Sequence, residues 1–346
     1  MENAKEIISR IKDERGDSLA ILGHHYQSDE VIACTDIRGD SLELARKING
    51  LSAEHVVFCG VFFMAESAAI LARPGQKIHI PDSTATCPMA DMAEADRVRR
   101  TLAILEESGR KIVPLTYVNS SAAVKGVVGG HGGSVCTSAN AKIMLEWALN
   151  QGDAVLFLPD QHLGNNTGDV LGISEEQRLL LPRDVIHGDP ALAVASEDTE
   201  GKKLILWPGY CPVHAQFPLD AVRKIRETEP EARIVVHPEC DPAIVRAVDG
   251  NGSTTFLIKY AEEAPEGSTV YIGTEENLVR RLAAKYAGCK TIRPLHTALC
   301  EDMGKTTLDN LAHTLQTLDT AVPVTVSNAV KEPAKQALDR MLAVCS

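Results

Sequence analysis

The sequence predicts an α/β protein with parallel sheets, because short apolar strands alternate with helical segments along the chain. Three single cysteines repeat one layout, since Cys87, Cys211 and Cys300 each lie shortly after the end of a strand. Ligands of α/β proteins bind outside the carboxyl ends of parallel strands. The repeat therefore predicts three similar lobes in one body, with the three cysteines directed to a common point.

The first lobe is predicted to span residues 1–91 and to contribute Cys87. Its strands are short apolar runs at residues 18–22, 56–59 and 78–80. One helix is expected within residues 1–20 and another at residues 65–71. A third begins at Asp40 or Ser41, either of which can cap a helix.

The second lobe is predicted to span residues 92–216 and to contribute Cys211. Its strands are predicted at residues 111–118, 154–158 and 204–207. Its helices are predicted at residues 92–108, after the cap-forming residues 119–121, and at residues 141–149. Residues 161–203 show the least regular pattern of the chain.

The third lobe is predicted to span residues 217–305 and to contribute Cys300. Its strands are predicted from residue 233, at residues 253–258 and 269–273, and just before Cys300. Its helices are predicted at residues 219–227, 242–248 and 276–286. The C-terminal segment 306–346 holds two further predicted helices that are expected to pack back on the body.

Composition narrows the class of partner. The 346 residues suffice for two or three domains, and 35 Lys and Arg against 47 Asp and Glu give a net charge of −12. An acidic chain without a basic cluster argues against nucleic acid and anionic membranes as partners. Neither a signal peptide nor an apolar run of roughly 20 residues is present, so we expect a soluble, cytoplasmic protein.

Nine cysteines without pairwise spacing predict reduced thiols or metal ligands rather than a disulfide framework. A single buried cysteine is more often an inert, small apolar residue. That is the expected role of Cys34, Cys59, Cys136, Cys289 and Cys345. For Cys240, a metal-ligand role and an inert, buried role both remain open, since it follows His-Pro-Glu at a strand end.

The three strand-end cysteines differ from these because their context repeats. They contain no Cys-x-x-Cys pair, which disfavours a structural zinc site. Four cysteines saturate a [4Fe–4S] cluster, so three thiolates would leave one iron open to a substrate. The spacing therefore favours an iron–sulfur cluster that acts as a Lewis acid.

Polar residues near the strand ends predict an anionic pocket beside that iron. They are His24, Tyr26, Ser41, Tyr117, Asn119, Ser138, His237, Glu239, Ser253 and Thr254. Helix capping is the favoured interpretation for Ser41 and Ser138, and it is compatible with anion binding at the same helix N-terminus. His237 and Glu239 lie close enough in sequence to form an acid–base pair.

A series of ordered motifs covers most of the chain from Leu22 to Leu308. It includes Gly23-His24-His25-Tyr26-Gln27, Gly39-Asp40-Ser41, Cys87-Pro88-Met89-Ala90, Tyr117-Val118-Asn119, Cys136-Thr137-Ser138, Phe157-Leu158-Pro159-Asp160, Cys211-Pro212-Val213-His214, His237-Pro238-Glu239-Cys240, Gly252-Ser253-Thr254 and Cys300-Glu301-Asp302-Met303. In these residues the chain resembles the quinolinate synthase family, iron–sulfur enzymes of de novo NAD synthesis.

The resemblance implies a fold of three α/β/α lobes around a pseudo-threefold axis, with the active site at their junction. It implies a [4Fe–4S] cluster held by Cys87, Cys211 and Cys300. It also implies condensation of iminoaspartate with dihydroxyacetone phosphate to quinolinate, with release of phosphate and water. An L-aspartate-oxidising enzyme that supplies the imine is the implied functional partner.

The resemblance also assigns roles to single residues. It assigns proton transfer to Tyr26, and the acid–base pair His237 and Glu239 is expected to act with it. It assigns the substrate pocket to His24, Ser41, Tyr117, Val118, Asn119, Ser138, His237, Pro238, Glu239 and Thr254. Ser253 is added to this pocket because it directly precedes Thr254.

The chain departs from the family pattern at His25, Ala139 and Glu301-Asp302, and the segment 169–203 is an insert without an assigned role. Two other functions remain compatible with parts of the pattern. An iron–sulfur hydro-lyase acting on a small hydroxy acid would use the same open iron. A cluster-containing sensor would need a basic helix or an appended domain, and the sequence shows neither.

Overall fold

The computed structural model describes residues 2–48 and 50–346. Two compact units are distinguished. The first comprises Met1–Cys87, Gln216–His237 and Arg246–Thr325, and the second comprises Pro88–Ala215, Pro238–Val245 and Val326–Ser346. Each unit is held together by parallel β-sheet with helices packed on it.

The first unit contains a parallel sheet in the N-terminal part of the chain. Its strands are β1 (Leu19–His24), β2 (Ile37–Gly39), β3 (His55–Cys59) and β4 (Lys77–His79), in the order β2-β1-β3-β4. The helices of this part are α1 (Ala4–Arg15), α2 (Asp29–Cys34), α3 (Ser41–Ile48) and α4 (Phe62–Leu71). Strands β1 and β3 are buried along their whole length, as expected for parallel strands covered on both faces.

The second unit contains a five-stranded parallel sheet. Its strands are β5 (Ile112–Tyr117), β6 (Ser134–Cys136), β7 (Ala154–Leu158), β8 (Arg178–Leu180) and β9 (Leu204–Leu206), in the order β6-β5-β7-β9-β8. The helices of this part are α5 (Pro88–Asp91), α6 (Ala95–Glu106), α7 (Ala122–Gly130), α8 (Ala141–Leu149), α9 (Gln161–Val170), α10 (Asp184–His187) and α11 (Pro190–Ala193).

A third parallel sheet follows in the chain and belongs to the first unit. Its strands are β10 (Arg233–Val236), β11 (Gly250–Asn251), β12 (Thr269–Gly273) and β13 (Thr291–Pro294), in the order β11-β10-β12-β13. The remaining helices are α12 (Leu219–Thr228), α13 (Pro242–Ala247), α14 (Thr254–Glu263), α15 (Glu276–Lys285), α16 (Glu301–Gly304), α17 (Leu308–Gln316) and α18 (Asn328–Val344).

The core around β1 and β3 joins the beginning of the chain to its C-terminal part. Ile8 and Ile11 of α1 pack in one buried cluster with Leu311 and Leu315 of α17. The two pairs are spaced three and four residues apart, so each lies on one face of its helix. Helix α17 therefore covers the same sheet face as α1, within the first unit.

The fold class predicted from the sequence is confirmed, because three parallel sheets flanked by helices are present. Each predicted lobe contains one of the three sheets, while the lobe boundaries remain a prediction. Two element predictions were wrong. Residues 253–258, predicted as a strand, are the N-cap residue and the first residues of helix α14. The irregular stretch 161–203 starts with the regular helix α9.

The described residues contain no helix that is long and apolar enough to cross a membrane.

A close helix contact in the second unit depends on the absence of a side chain. Gly129 of α7 faces the backbone of α18, and a Cβ atom there would overlap the carbonyl oxygen of Pro333. The neighbouring Gly130 is exposed and has open space around its Cα atom. The two glycines thus occupy the same helix under opposite packing constraints.

We predict that Gly129→Ala lowers the free energy of unfolding by about 1–3 kcal/mol, because overpacking forces the two helices apart. Gly130→Ala is the matched control and should raise it by about 0.5–1 kcal/mol through helix propensity. Chemical denaturation of both variants measures the difference. Equal effects of the two substitutions would contradict the packing argument.

Candidate functional site

The three strand-end cysteines divide between the two units. Cys87 and Cys300 belong to the first unit, and Cys211 belongs to the second. All three thiols are half-buried, and the nine cysteines, all within the described residues, form no disulfide. The meeting of the three thiols at one point stays a prediction.

Each of these cysteines precedes a helical turn. Cys87 directly precedes α5, Cys300 is the N-cap residue of α16, and Cys211 lies just before a 3₁₀ turn at His214–Gln216. The backbone N–H groups of Asp302 and Met303 face the Cys300 thiol. A helix N-terminus favours a negative charge, so these positions suit thiolate ligands.

Burial controls the protonation of Cys300 in the absence of a cation. Desolvation raises the pKa of its thiol to about 11, against the smaller lowering effect of the N–H groups of the following turn. Desolvation also raises the pKa of Cys59 and Cys136, which are fully buried in strands β3 and β6. Full burial of Cys59 and Cys136 suits the packing role predicted for them.

A thiol, an imidazole and a carboxylate meet in the second unit. One ligand atom from each of Cys211, His214 and Glu239 lies within 4.8 Å of the other two. His214 Nδ1 and Glu239 Oε2 are hydrogen-bonded at 2.8 Å, and both side chains are almost completely buried. This group has the donor types of a metal centre together with a hydrogen-bonded acid–base pair.

A second carboxylate lies behind this group. Asp160 follows strand β7, is fully buried and caps helix α9, where its Oδ1 accepts from Leu163 N–H at 2.7 Å. Desolvation raises the pKa of Asp160 well above its usual range, and the charge of Glu239 raises it further. The backbone N–H of Cys211 faces the same carboxylate and acts in the opposite direction. Asp160 therefore lies against the loop that carries Cys211, and the charge of Glu239 favours its protonated form.

In the first unit, Tyr26 is held by hydroxyl groups. Its phenol oxygen lies 2.6 Å from Thr274 Oγ1, and Thr254 Oγ1 donates to it at 3.4 Å. The ring of His24 meets the Tyr26 ring edge-on, with centroids 4.7 Å apart. Three residues of the predicted pocket, His24, Tyr26 and Thr254, are thereby brought together.

Two helix N-termini near these residues bear the predicted hydroxyls. Asp40 caps α3, since its Oδ1 accepts from Glu43 N–H at 3.0 Å, and Ser41 is the first helical residue. Ser253 caps α14 and accepts from Phe256 N–H at 3.3 Å. Thr255 Oγ1 donates to Asp40 Oδ2 at 2.7 Å, which links the two helix starts. Such N-termini present N–H groups to anions.

The strand β5 loop in the second unit carries Tyr117, Val118 and Asn119. Tyr117 and Val118 are buried, and Asn119 Oδ1 is a buried acceptor without a partner in the described part of the chain. Lys125, which is fully buried, donates from Nζ to Val118 O at 2.8 Å and also to Ser120 O. The lysine thus fixes this loop from within the protein.

The other predicted pocket residues occupy strand ends. Ser138 is half-buried and lies two residues before Asn140, the N-cap residue of α8, so it does not itself cap that helix. His237 directly follows strand β10, is buried and donates its backbone N–H to Gly273 O at 2.9 Å. His237 is the last residue of its stretch in the first unit, and the short segment Pro238–Val245 belongs to the second unit.

Residues 6–343 match the family model described as NadA, quinolinate synthetase A protein. The chain belongs to the quinolinate synthetase A family. It is 45% identical over 343 residues to the quinolinate synthase of Streptomyces coelicolor, which covers 96% of this chain and 86% of that protein. It is 43% identical over 353 residues to the quinolinate synthase of Anoxybacillus flavithermus, with 99% and 94% covered. It is 42% identical over 346 residues to that of Bacillus subtilis, with 97% and 92% covered.

Family membership confirms the resemblance drawn from the sequence motifs, but three residues of the site received no role there. His214 has a sequence cue, because Cys211-x-x-His214 places two metal-type ligands at a short spacing. Asp160 and Glu275 share another cue, since each is an acidic residue between a buried strand and a helix. Their burial could not be foreseen from that pattern.

The stability of the folded protein is expected to depend on pH through the carboxyl group of Glu275. Desolvation raises the pKa of Glu275 to about 8, above the value near 4.5 of an exposed glutamate. Between these two values the folded state binds more protons than the unfolded state, so stability decreases as the pH rises.

We predict that Glu275→Gln increases the melting temperature relative to the wild type at about pH 8 but not at about pH 5. Glu266→Gln, at an exposed position, is the control.

Thermal unfolding at both pH values measures this effect. A Glu275→Gln difference that is the same at the two pH values would show that the carboxyl does not titrate with folding.

Proposed function

We propose that the protein is a quinolinate synthase that condenses iminoaspartate with dihydroxyacetone phosphate, in the cytoplasm, as part of NAD synthesis. The observation that carries this proposal is the cluster of half-buried Cys211 with buried His214 and Glu239, in a chain matched to the family over residues 6–343. The group offers a soft ligand and an acid–base pair together. A condensation that loses water and phosphate needs both kinds of chemistry.

The proposed cofactor is a [4Fe–4S] cluster held by Cys87, Cys211 and Cys300. The donor set fits such a group, because each of the three is a reduced, half-buried thiol before a helical turn. When bound through three thiolates, the cluster supplies one open iron as a Lewis acid. The remaining chemistry belongs to the side chains.

Glu239 and Tyr26 are the proposed proton carriers. The Glu239 carboxylate is oriented by its hydrogen bond to His214, so its other oxygen can take a proton from bound substrate. The Tyr26 phenol is oriented by Thr274 and Thr254, which lets it donate or accept at a fixed position. His237, buried at the end of β10, is the third proposed member.

Anion binding is assigned to helix N-termini and hydroxyls rather than to basic side chains. The starts of α3 and α14 present Ser41, Ser253 and Thr254 together with backbone N–H groups. His24, Tyr117, Val118, Asn119, Ser138 and Pro238 complete the proposed pocket. Burial of most of these residues limits the access of water, which protects an imine from hydrolysis.

We predict that the anaerobically prepared protein forms quinolinate from the two substrates and that Cys300→Ser abolishes both iron retention and turnover. Cys289→Ser is the matched control, because Cys289 is exposed and lies outside the proposed ligand set. Iron and sulfide analysis, the visible absorbance spectrum and a quinolinate assay are the measurements. Full iron content and activity in Cys300→Ser would overturn the ligand assignment.

We predict that Glu239→Gln lowers kcat by about a hundredfold or more, the usual size of general acid–base catalysis, while the iron content is unchanged. A glutamine can still accept the hydrogen bond from His214, so the fold should be preserved. Glu227→Gln, on the exposed face of α12, is the control. Turnover of Glu239→Gln close to that of the control would remove the proposed role.

A further inference from the structure

Helices α9 and α15 follow strands that hold equivalent positions in two of the three sheets. Helix α9 follows β7, which pairs with β9, the strand before Cys211. Helix α15 follows β12, which pairs with β13, the strand before Cys300. Each helix starts at a fully buried carboxylate, Asp160 or Glu275, that faces the backbone N–H of the corresponding cysteine.

Helix α15 binds the main chain on both sides of Tyr26. Arg281 donates from Nη1 to His25 O at 2.9 Å and from Nη2 to Gln27 O at 2.7 Å. Asn277 Nδ2 donates to the carbonyl oxygen of Tyr26 itself at 3.1 Å. Residues 277 and 281 lie four apart and share one helix face, so a single face satisfies three consecutive carbonyls.

Helix α9 binds the main chain on both sides of Glu239 in the same manner. The Nδ2 group of Asn166 donates to Pro238 O at 2.8 Å and to Cys240 O at 2.9 Å. Asn166 is buried, and it lies six residues after Asp160, just as Arg281 lies six residues after Glu275. Helix α4, the counterpart in the first sheet, follows Val61 and has no side-chain cap.

We infer that Asn166 and Arg281 are matched positioning residues, which hold the acid–base residues Glu239 and Tyr26 in place by binding the carbonyl groups that flank them. The inference rests on the proposed function, because that function gives Glu239 and Tyr26 their chemical roles. Proton transfer requires a heavy-atom distance of about 2.6–3.2 Å. A small displacement of the donor or acceptor therefore lowers the rate without removing either group.

The test compares Arg281→Ala and Asn166→Ala with two controls. Arg280→Ala removes the same charge from the preceding residue of α15, whose side chain is mostly exposed and pairs with Glu276. Asn150→Ala removes an exposed amide at the end of α8. We expect kcat to fall about tenfold or more in the two test variants, with KM changed less than about threefold and the pH profile of kcat shifted. Both controls should match the wild type.

Two further measurements separate positioning from a general loss of stability. Backbone hydrogen exchange should become faster at residues 24–28 in Arg281→Ala and at residues 237–241 in Asn166→Ala, also in protein without iron. Guanidinium ion at low concentration should restore turnover to Arg281→Ala, because it supplies the missing planar donor. A merely destabilised variant would lose activity in guanidinium.

If wild type and controls form quinolinate while both test variants keep normal kcat, pH profile and exchange rates, the inference is wrong. If the wild type forms no quinolinate, the proposed function fails first and removes the chemical roles of Glu239 and Tyr26. Should Asn166→Ala not fold, Arg281→Lys decides, because it keeps the charge but lacks the fork that spans two carbonyls. Normal kcat and exchange in Arg281→Lys would overturn the inference.

Discussion

Every strand in the three sheets runs parallel to its neighbours, and this pairing decides where the chain can carry chemistry. Parallel strands of one sheet end at the same edge, so the loops that follow them lie side by side. Loops from the two different sheets of the first unit also meet, since Tyr26 after β1 is hydrogen-bonded to Thr274 after β12. In the second unit, the loops after β7 and β9 bring Asp160 next to Cys211.

A loop at a sheet edge still needs partners for its own backbone. Most buried carbonyl groups in proteins are paired, and loops cannot pair with one another as strands do. Here polar side chains on neighbouring helices donate to the backbone carbonyl oxygens of the loops. Lys125 binds those of residues 118 and 120, Asn166 those of residues 238 and 240, and Arg281 those of residues 25 and 27. The rigidity of the candidate site thus comes from helices rather than from the loops themselves.

The sequence predicted the sheets well because apolar strand runs and capped helices are local patterns. It failed at residues 253–258, where Thr254, Thr255, Phe256 and Ile258 have high strand propensity. Leu257, Ala261 and Ala264 are buried in one cluster at helical spacing, and Ser253 caps the segment, so packing outweighs propensity.

The candidate site was predictable only in part for a different physical reason. Strand-end cysteines, hydroxyls and the His237–Glu239 pair can be found from position along the chain. The partners that orient them cannot, because the contact of His214 with Glu239, or of Asn166 with residues 238 and 240, joins segments distant in sequence. Only the folded chain shows which buried carboxylate belongs to which cysteine loop.

The burial of Cys300 also affects how readily its thiol is oxidised. The thiolate form of a cysteine, and not the thiol, reacts with peroxide and with disulfides. Desolvation raises the pKa of the Cys300 thiol to about 11, so the neutral thiol predominates at neutral pH. We therefore expect Cys300 to oxidise slowly for a thiol that is only half-buried.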